Sequence, residues 1–421
     1  MQRIAVVGLG KLGLPIAACL ASRGYSVNGV DNNDEAKWNA LIGESVEPYV
    51  SNMLKSYPLT YVVDSAQVAT ESADATFVVV PTPLDNSNRF SLDAILSVCE
   101  EVGKTIKDKV DYHLIVIVST VMPEAHRKFI IPTLEKASGK QAGRDFGICY
   151  SPAFLALGTA VQNILSPDFV LIGADDDRSA NELESIQRPL VGLNVPIMHT
   201  SIINAEIAKI ALNVYLSLKI TYGNTIAHLC DHIDGADAEE VTRVIGRDRR
   251  VGKSLLMGGT PYGGPCLCRD MQAFIEQCHI SGADPLLFQS AETLNRMETN
   301  HIYSLVYQHI DGGTIGILGL AYKPDTAVTD NSIGHTLAQR LTRDGKKVVA
   351  YDPLVTDAPC QVTETALDCV NKSGTIVITQ PHHFLKENEY DALEGKVVID
   401  LWRTLNTKKL PQLTYIIPGK A

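Results

Sequence analysis

A strand, glycine turn, helix and second strand near the N-terminus, a partial copy of that pattern after residue 310, and a long Pro-free helical stretch between them predict an α/β chain. The expected architecture is two Rossmann-like doubly wound domains joined by a long central helix and a helical dimerisation region. At 421 residues the chain exceeds one ordinary domain, and 45% hydrophobic with 20% charged residues describes a globular composition. The boundaries expected are 1–200, 201–300 and 311–421.

The first element set is "RIAVVGLGKLGLPIAACLASRGYSVNGVDNN" (3–33), a buried-strand run, a turn carrying Gly8, Gly10 and Gly13, an amphipathic helix and a strand ending in Asp31. One glycine permits the tight turn, one lets backbone approach a pyrophosphate, and one lets the helix pack closely on the strand. The helix start, reached through Leu12, offers N–H groups to the anion. Asp31 would accept hydrogen bonds from an adenosine ribose and repel a 2′-phosphate, and "DNND" supplies no arginine to welcome one. NAD is therefore the expected cofactor, in preference to NADP.

Further strands are expected at "ATFVVVPTP" (75–83), "HLIVIVSTV" (113–121) and "FGICYSP" (146–152), separated by helical stretches. Their C-terminal ends carry Pro81, Thr82, Thr120 and Ser151, on the sheet edge where ligands bind, so Pro81, Thr82 and Thr120 are expected beside the cofactor. The middle, "NAEIAKIALNVYLSLKITYGNTIAHLCDHI" (204–233), keeps helical apolar spacing with a single glycine and predicts a long connecting helix and dimer core. "GTIGILGLAYKPDT" and "KKVVAYDP" (346–353), ending in Asp352, predict a second α/β half without the full dinucleotide pattern.

A formal charge of -11 argues against nucleic-acid binding, since "GRDRRVGK" (246–253) is the only dense basic stretch. The N-terminus lacks a signal-peptide pattern and no apolar run reaches bilayer length, so no membrane contact and a cytoplasmic location are expected. Nine scattered cysteines without paired CxxC spacing predict neither a disulfide framework nor a metal site. One of them stands out: "GGTPYGGPCLCRD" (258–270) sets Cys266 directly behind a glycine-rich turn with Asp270 at i+4, on the same helix face if a helix starts there. Lys209 and Asn213 are likewise i and i+4, so an ammonium and an amide can point together at an oxygen that becomes negative.

Taken in order, the dinucleotide pattern, PTP, STV, SPxFL, Lys-x-x-x-Asn, GGxCxxxD, GLAYKP, YDP and DxWR give a chain that resembles the UDP-glucose/GDP-mannose dehydrogenase family along nearly its whole length. The resemblance implies NAD-dependent oxidation of a UDP-sugar's 6-hydroxymethyl group through an aldehyde to a carboxylate, with UDP-glucose favoured and a UDP-N-acetylhexosamine as the alternative. It implies that 1–200 holds NAD and that 311–421 holds the nucleotide sugar, in a homodimer or a higher assembly of dimers. By the same resemblance Cys266 is the nucleophile, Lys209 and Asn213 steady the developing oxyanion, Asp270 serves acid/base chemistry and Thr120 supports a water. Arg250, Lys323 and Arg403 match substrate-binding positions, and Tyr262, Gly263 and Gly264 border the sugar. A thiol suits this chemistry because an aldehyde has no second hydride to give until a nucleophile adds, and oxidation of the thiohemiacetal leaves a hydrolysable thioester.

The sequence also departs from the family. Where the family commonly reads PEFLxEG this chain reads "PAFLALG" (152–158), so Ala153 and Leu157 replace two glutamates, the first of which is implicated in activating water. Asp330 stands where an arginine commonly helps hold the cofactor, and Arg269 replaces a frequent lysine. Three readings follow: another group such as Asp270 with Thr120 supplies the water, the reaction stops early or hydrolyses slowly, or the substrate and outcome have changed. A non-catalytic nucleotide-sugar-binding protein is the alternative from another class.

Overall fold

Alternation along the strands builds the first sheet. In β1 (Arg3–Val7) Ile4 and Val6 face one core cluster while Ala5 and Val7 face another, so the strand is buried on both sides. The computed structural model describes residues 2–45, 47–155, 157–310 and 312–420, and the chain divides into two compact units, Met1–Ala211 and Leu212–Ala421.

The first unit adds β2 (Ser26–Val30), β3 (Tyr61–Val63), β4 (Ala75–Val78), β5 (Leu114–Ile117), β6 (Gly147–Tyr150), β7 (Val170–Gly173) and β8 (Ile197–Thr200). Their order is β3-β2-β1-β4-β5-β6-β7-β8, the doubly wound arrangement, with one antiparallel contact at Tyr150 and Gly173. The helix Gly13–Ser22 returns the chain between β1 and β2, burying Ala17, Ala18 and Leu20 against the cluster that holds Ile4 and Val6. Each fully buried leucine or isoleucine of this kind contributes about 1.5–3 kcal/mol.

The second unit contains β9 (Ile315–Leu318), β10 (Val348–Tyr351), β11 (Gln361–Val362), β12 (Thr375–Ile378), β13 (Val397–Asp400) and β14 (Thr414–Ile416). All pairs in its order β11-β10-β9-β12-β13-β14 are parallel, repeating the arrangement of the first sheet. The long helix is Ile202–Cys230, and the division between the units falls inside it. Two more helices matter below, Gly264–Ser281 and Leu286–Gln308.

The strands are shorter than their apolar runs. Val79 and Val118 are buried although they lie beyond β4 and β5, because apolar sequence reports burial, which continues past the last ladder bond. The long helix stops at Cys230 rather than at 233, where turns leading to Gly235 at φ 77° take over.

Candidate active site

At the C-terminal end of β1, Gly8 adopts φ +97°, and a Cβ there would lie 2.4 Å from Val79 O. A Cβ on Gly13 would lie 1.7 Å from Gly8 O, whereas one on Gly10 would meet nothing within 4 Å. Two glycines are thus demanded by the protein itself, and the third leaves open space over exposed backbone, as a dinucleotide pyrophosphate requires. The helix behind it has no side-chain cap and no acid in its first turn, so its positive end is uncompensated. Leu12 packs against the core cluster beside it.

Asp31, half-buried at the end of β2, accepts from Leu9 N through Oδ2 at 2.6 Å and from Asn33 N through Oδ1 at 2.8 Å. Each oxygen keeps a lone pair for a ribose hydroxyl. Pro81 is exposed and Thr82 buried after β4, and Thr120 is half-buried after β5, so all three occupy the ligand-binding edge of the sheet. The residues present therefore fit NAD.

The segment after β6 carries the departures. Lys209, 8% exposed on the long helix, donates to Ala153 O at 2.8 Å and lies 4.9 Å from the Phe154 ring centroid. Its ammonium is therefore fixed to the main chain of the very residue that replaces a glutamate. Sequence reasoning missed Glu47. That buried carboxylate accepts from Gly158 N at 2.8 and 2.9 Å through its two oxygens, and from Ala160 N at 3.4 Å. Its partners lie 111 and 113 residues away, so no local pattern announces them.

In the second unit Gly264, at φ +80°, opens the helix Gly264–Ser281, with Pro265 in its first turn. Cys266 is exposed in that turn, where aligned peptide dipoles favour negative charge. Its neighbour Cys268 is half-buried, and burial together with Glu292 pushes its thiol up to about 11. Asp270, fully buried one turn below Cys266, accepts from Asn213 Nδ2 through Oδ2 at 2.6 Å and from Arg269 through Oδ1, Nε at 3.0 Å and Nη2 at 2.9 Å. Arg269, which replaces the family's frequent lysine, is thus the direct counter-charge of Asp270.

The loop 330–331 is stitched to the same turn. Gly264 N donates to Asp330 O at 2.9 Å and Asn331 Nδ2 to Gly264 O at 3.3 Å, while the Asp330 residue is exposed. Tyr262 is buried at 4% exposure, its N–H and C=O both held by the Asn295 side chain and its hydroxyl without a partner among the described residues. Burial raises its pKa.

The expected basic residues are differently placed. Lys323 is half-buried, its Nζ 5.9 Å from the Tyr322 ring centroid. Arg403, at φ 55°, is held by Asp237 at 2.5 Å and Glu239 at 3.0 Å. Arg250 is 89% exposed and pairs with Asp248 at 2.6 Å.

Family models for UDP-glucose/GDP-mannose dehydrogenases match residues 2–191 (NAD binding domain), 203–297 (central domain) and 316–407 (UDP binding domain). The chain belongs to the UDP-glucose/GDP-mannose dehydrogenase family. It is an NAD-dependent nucleotide-sugar 6-dehydrogenase. Among its relatives is a UDP-glucose 6-dehydrogenase of Haloferax volcanii, 33% identical over 95% of this chain and 96% of its own length. A GDP-mannose 6-dehydrogenase of Azotobacter vinelandii is 32% identical over 83% of this chain and 81% of its own. The solved UDP-glucose dehydrogenase of Pyrobaculum islandicum superposes with a TM-score of 0.88 at 27% identity, covering 100% of this chain and 98% of that one. No helix among the described residues is long and apolar enough to cross a membrane.

Proposed function

We propose that the substrate is a UDP-sugar, UDP-glucose first, and that its C6 alcohol is carried through two oxidations to the uronic acid. The observation that carries this reading is the exposed Cys266 in the first turn of its helix, one turn above the buried Asp270 and Asn213 pair. A match to a UDP binding domain over 316–407 and a relative named for UDP-glucose support the nucleotide and the sugar. In this proposal 1–200 holds NAD, 201–300 is the helical dimer core and 311–421 holds the nucleotide sugar.

Bound NAD, one molecule for each oxidation, would supply the hydride-accepting chemistry. Lys209 and Asn213 donate hydrogen bonds to the C6 oxygen as it gains charge, and Cys266 adds to the aldehyde carbon. Loss of the second hydride leaves a thioester, which water cleaves to release the carboxylate and the thiol. With alanine and leucine at 153 and 157, Asp270 is the acid/base group assigned to that water, with Thr120 orienting it. Gly8, Gly10, Gly13, Leu12, Asp31, Pro81, Thr82 and Thr120 line the cofactor. Arg250, Lys323, Arg403, Tyr262 and Gly263 serve the sugar nucleotide, Arg403 after exchanging its acids for phosphate.

The long helix exposes Tyr215, Tyr222 and Leu229 at intervals of seven, an apolar stripe suited to a homodimer. A cytoplasmic location belongs to the same proposal, supported by the reduced thiol that the chemistry at Cys266 requires.

The test is stoichiometric. With excess NAD and limiting UDP-glucose, two NADH per sugar and an unmodified chain by intact mass spectrometry are expected. One NADH per sugar, or a lasting adduct on Cys266, overturns the two-oxidation reading, and no NADH with UDP-glucose but two with a UDP-N-acetylhexosamine moves the assignment to that sugar.

Glu47→Gln tests the segment that lost its glutamates. Glutamine keeps one acceptor oxygen and sets an amide NH2 against Gly158 N in place of the other, so about 1–3 kcal/mol of local stability is lost. A fall in kcat of about tenfold with NAD KM unchanged is expected; unaltered kcat removes Glu47 from any positioning role.

A further inference from the structure

Two histidines and two acids gather at the far end of the long helix, outside everything used above. His228 lies in its last turn and Asp231 just past its end, at i+3 and so on the same face. Across from them the helix Leu286–Gln308 carries Glu298 and His301, again i and i+3. The ligand-capable atoms of His228, Asp231 and His301 all lie within 4.8 Å of one another, and the three residues are half-buried. The two imidazole rings meet edge to face with centroids 4.1 Å apart.

We propose that His228, Asp231 and His301 bind one divalent ion of the zinc class, pinning the end of the long helix to the helix Leu286–Gln308. Hydrogen bonding already sorts the donors. Glu298 Oε2 lies 2.6 Å from His228 Nε2, so that nitrogen carries the proton given to the buried carboxylate and Nδ1 is the nitrogen with a lone pair. A carboxylate behind a ligating histidine is the arrangement that fixes tautomer and ring orientation in metal sites. Asp231 Oδ1 accepts from Gly419 N at 2.6 Å, which leaves Oδ2 to coordinate and ties the C-terminal residues to the same point.

His301 completes the set. Among the described residues nothing hydrogen-bonds its ring nitrogens, so an imidazole lone pair remains for an ion beside His228. Two imidazoles and one carboxylate suit zinc or cobalt and not magnesium or calcium, which take oxygen donors. Zinc bound at about 2.0–2.1 Å to each donor needs them closer together than 4.8 Å, a closure that side-chain rotation can supply. Water fills the fourth position of the tetrahedron.

The probe is Co2+ added to chelator-treated full-length protein carrying Cys266→Ser, which removes the competing exposed thiol. One equivalent per chain is expected, with the intense visible absorption of a tetrahedral site and a higher melting temperature. His301→Ala and Asp231→Asn should abolish the band, and Glu298→Gln should weaken binding about 10–100-fold while leaving all three ligands in place. Zn2+ should displace the cobalt and erase the colour. If His301→Ala does not fold, His301→Gln with circular dichroism gives the same comparison. Absence of tetrahedral absorption, or a band unchanged by the His301 and Asp231 substitutions, overturns the site.

Discussion

The two sheets carry the same turn and put it to different uses. After β1, Gly8 at φ +97° is followed by Leu9 and Gly10, and Asp31 at the end of β2 takes Leu9 N. After β9, Gly319 at φ +103° is followed by Leu320 and Ala321, and Asp352 just beyond β10 takes Leu320 N at 2.7 Å and Ala321 N at 2.9 Å. Even the close helix approach recurs, since a Cβ on Gly334 would lie 2.0 Å from Gly319 O.

The difference lies in what remains available. Asp352 is buried and also takes Gln380 Nε2, Leu354 N and Val355 N, so its lone pairs are consumed. Gln380 fills the crevice where the strand order reverses, bonding Ala321 O at 2.6 Å, and Ala321 puts a methyl where the first sheet has open space over Gly10. An acid at this position therefore signals a dinucleotide site only when its oxygens retain capacity, as those of Asp31 do.

Substitutions can break that comparison, and the largest effects fall on the shared geometry. Gly13→Ala and Gly334→Ala should each cost their own unit more than about 3 kcal/mol, read as loss of one calorimetric transition with the other retained. Equal loss of both transitions in either variant would show that the units do not fold separately. Next comes the acid. Asp352→Asn should cost about 2–4 kcal/mol and leave NAD affinity unchanged, while Asp31→Asn should weaken NAD about tenfold, near 1.4 kcal/mol, by titration calorimetry.

A smaller effect separates the units by pH. His113, buried in the first unit between Thr76 at 2.9 Å and Lys109 at 3.1 Å, has its pKa pushed down from 6.5 to about 3 by burial and the neighbouring lysine. The unfolded chain binds a proton near 6.5 that the folded one refuses, so this contribution is full above pH 6.5 and is lost as pH falls toward 3. Between pH 7 and 5 the first unit should lose about 2 kcal/mol, and His113→Asn should flatten that slope. A slope unchanged in the variant would assign it to other groups. Smallest in stability is Gly10→Ala, expected within about 0.5 kcal/mol yet weakening NAD about tenfold or more, whereas Ala321→Gly should gain no NAD binding.

Much of the site was written in short stretches. The glycine turn, Asp31 and the thiol behind "YGGP" each depend on neighbours within one turn or one strand, so spacing alone exposes them. The long helix and the doubly wound fold class were legible for the same reason, since 3.6-residue and buried-strand patterns are local, whereas the strand order came from the structure. What local reading leaves out shows at Arg403, whose partners Asp237 and Glu239 lie more than 160 positions away in sequence.

The sequence by itself determined the strand and helix periods, the glycine-bearing turns and the chemical identity of Cys266, because sterics and thiol reactivity belong to residues and their immediate neighbours. Only the tertiary structure decided which hydrogen bonds each acid accepts. Glu47 serves Gly158 from 111 residues away, Asp270 is clasped by Asn213 from 57, and Asp352 is saturated where Asp31 is open. A carboxylate's role depends on the hydrogen bonds it has already accepted and the water it has lost, and both are set by packing between segments distant in the chain.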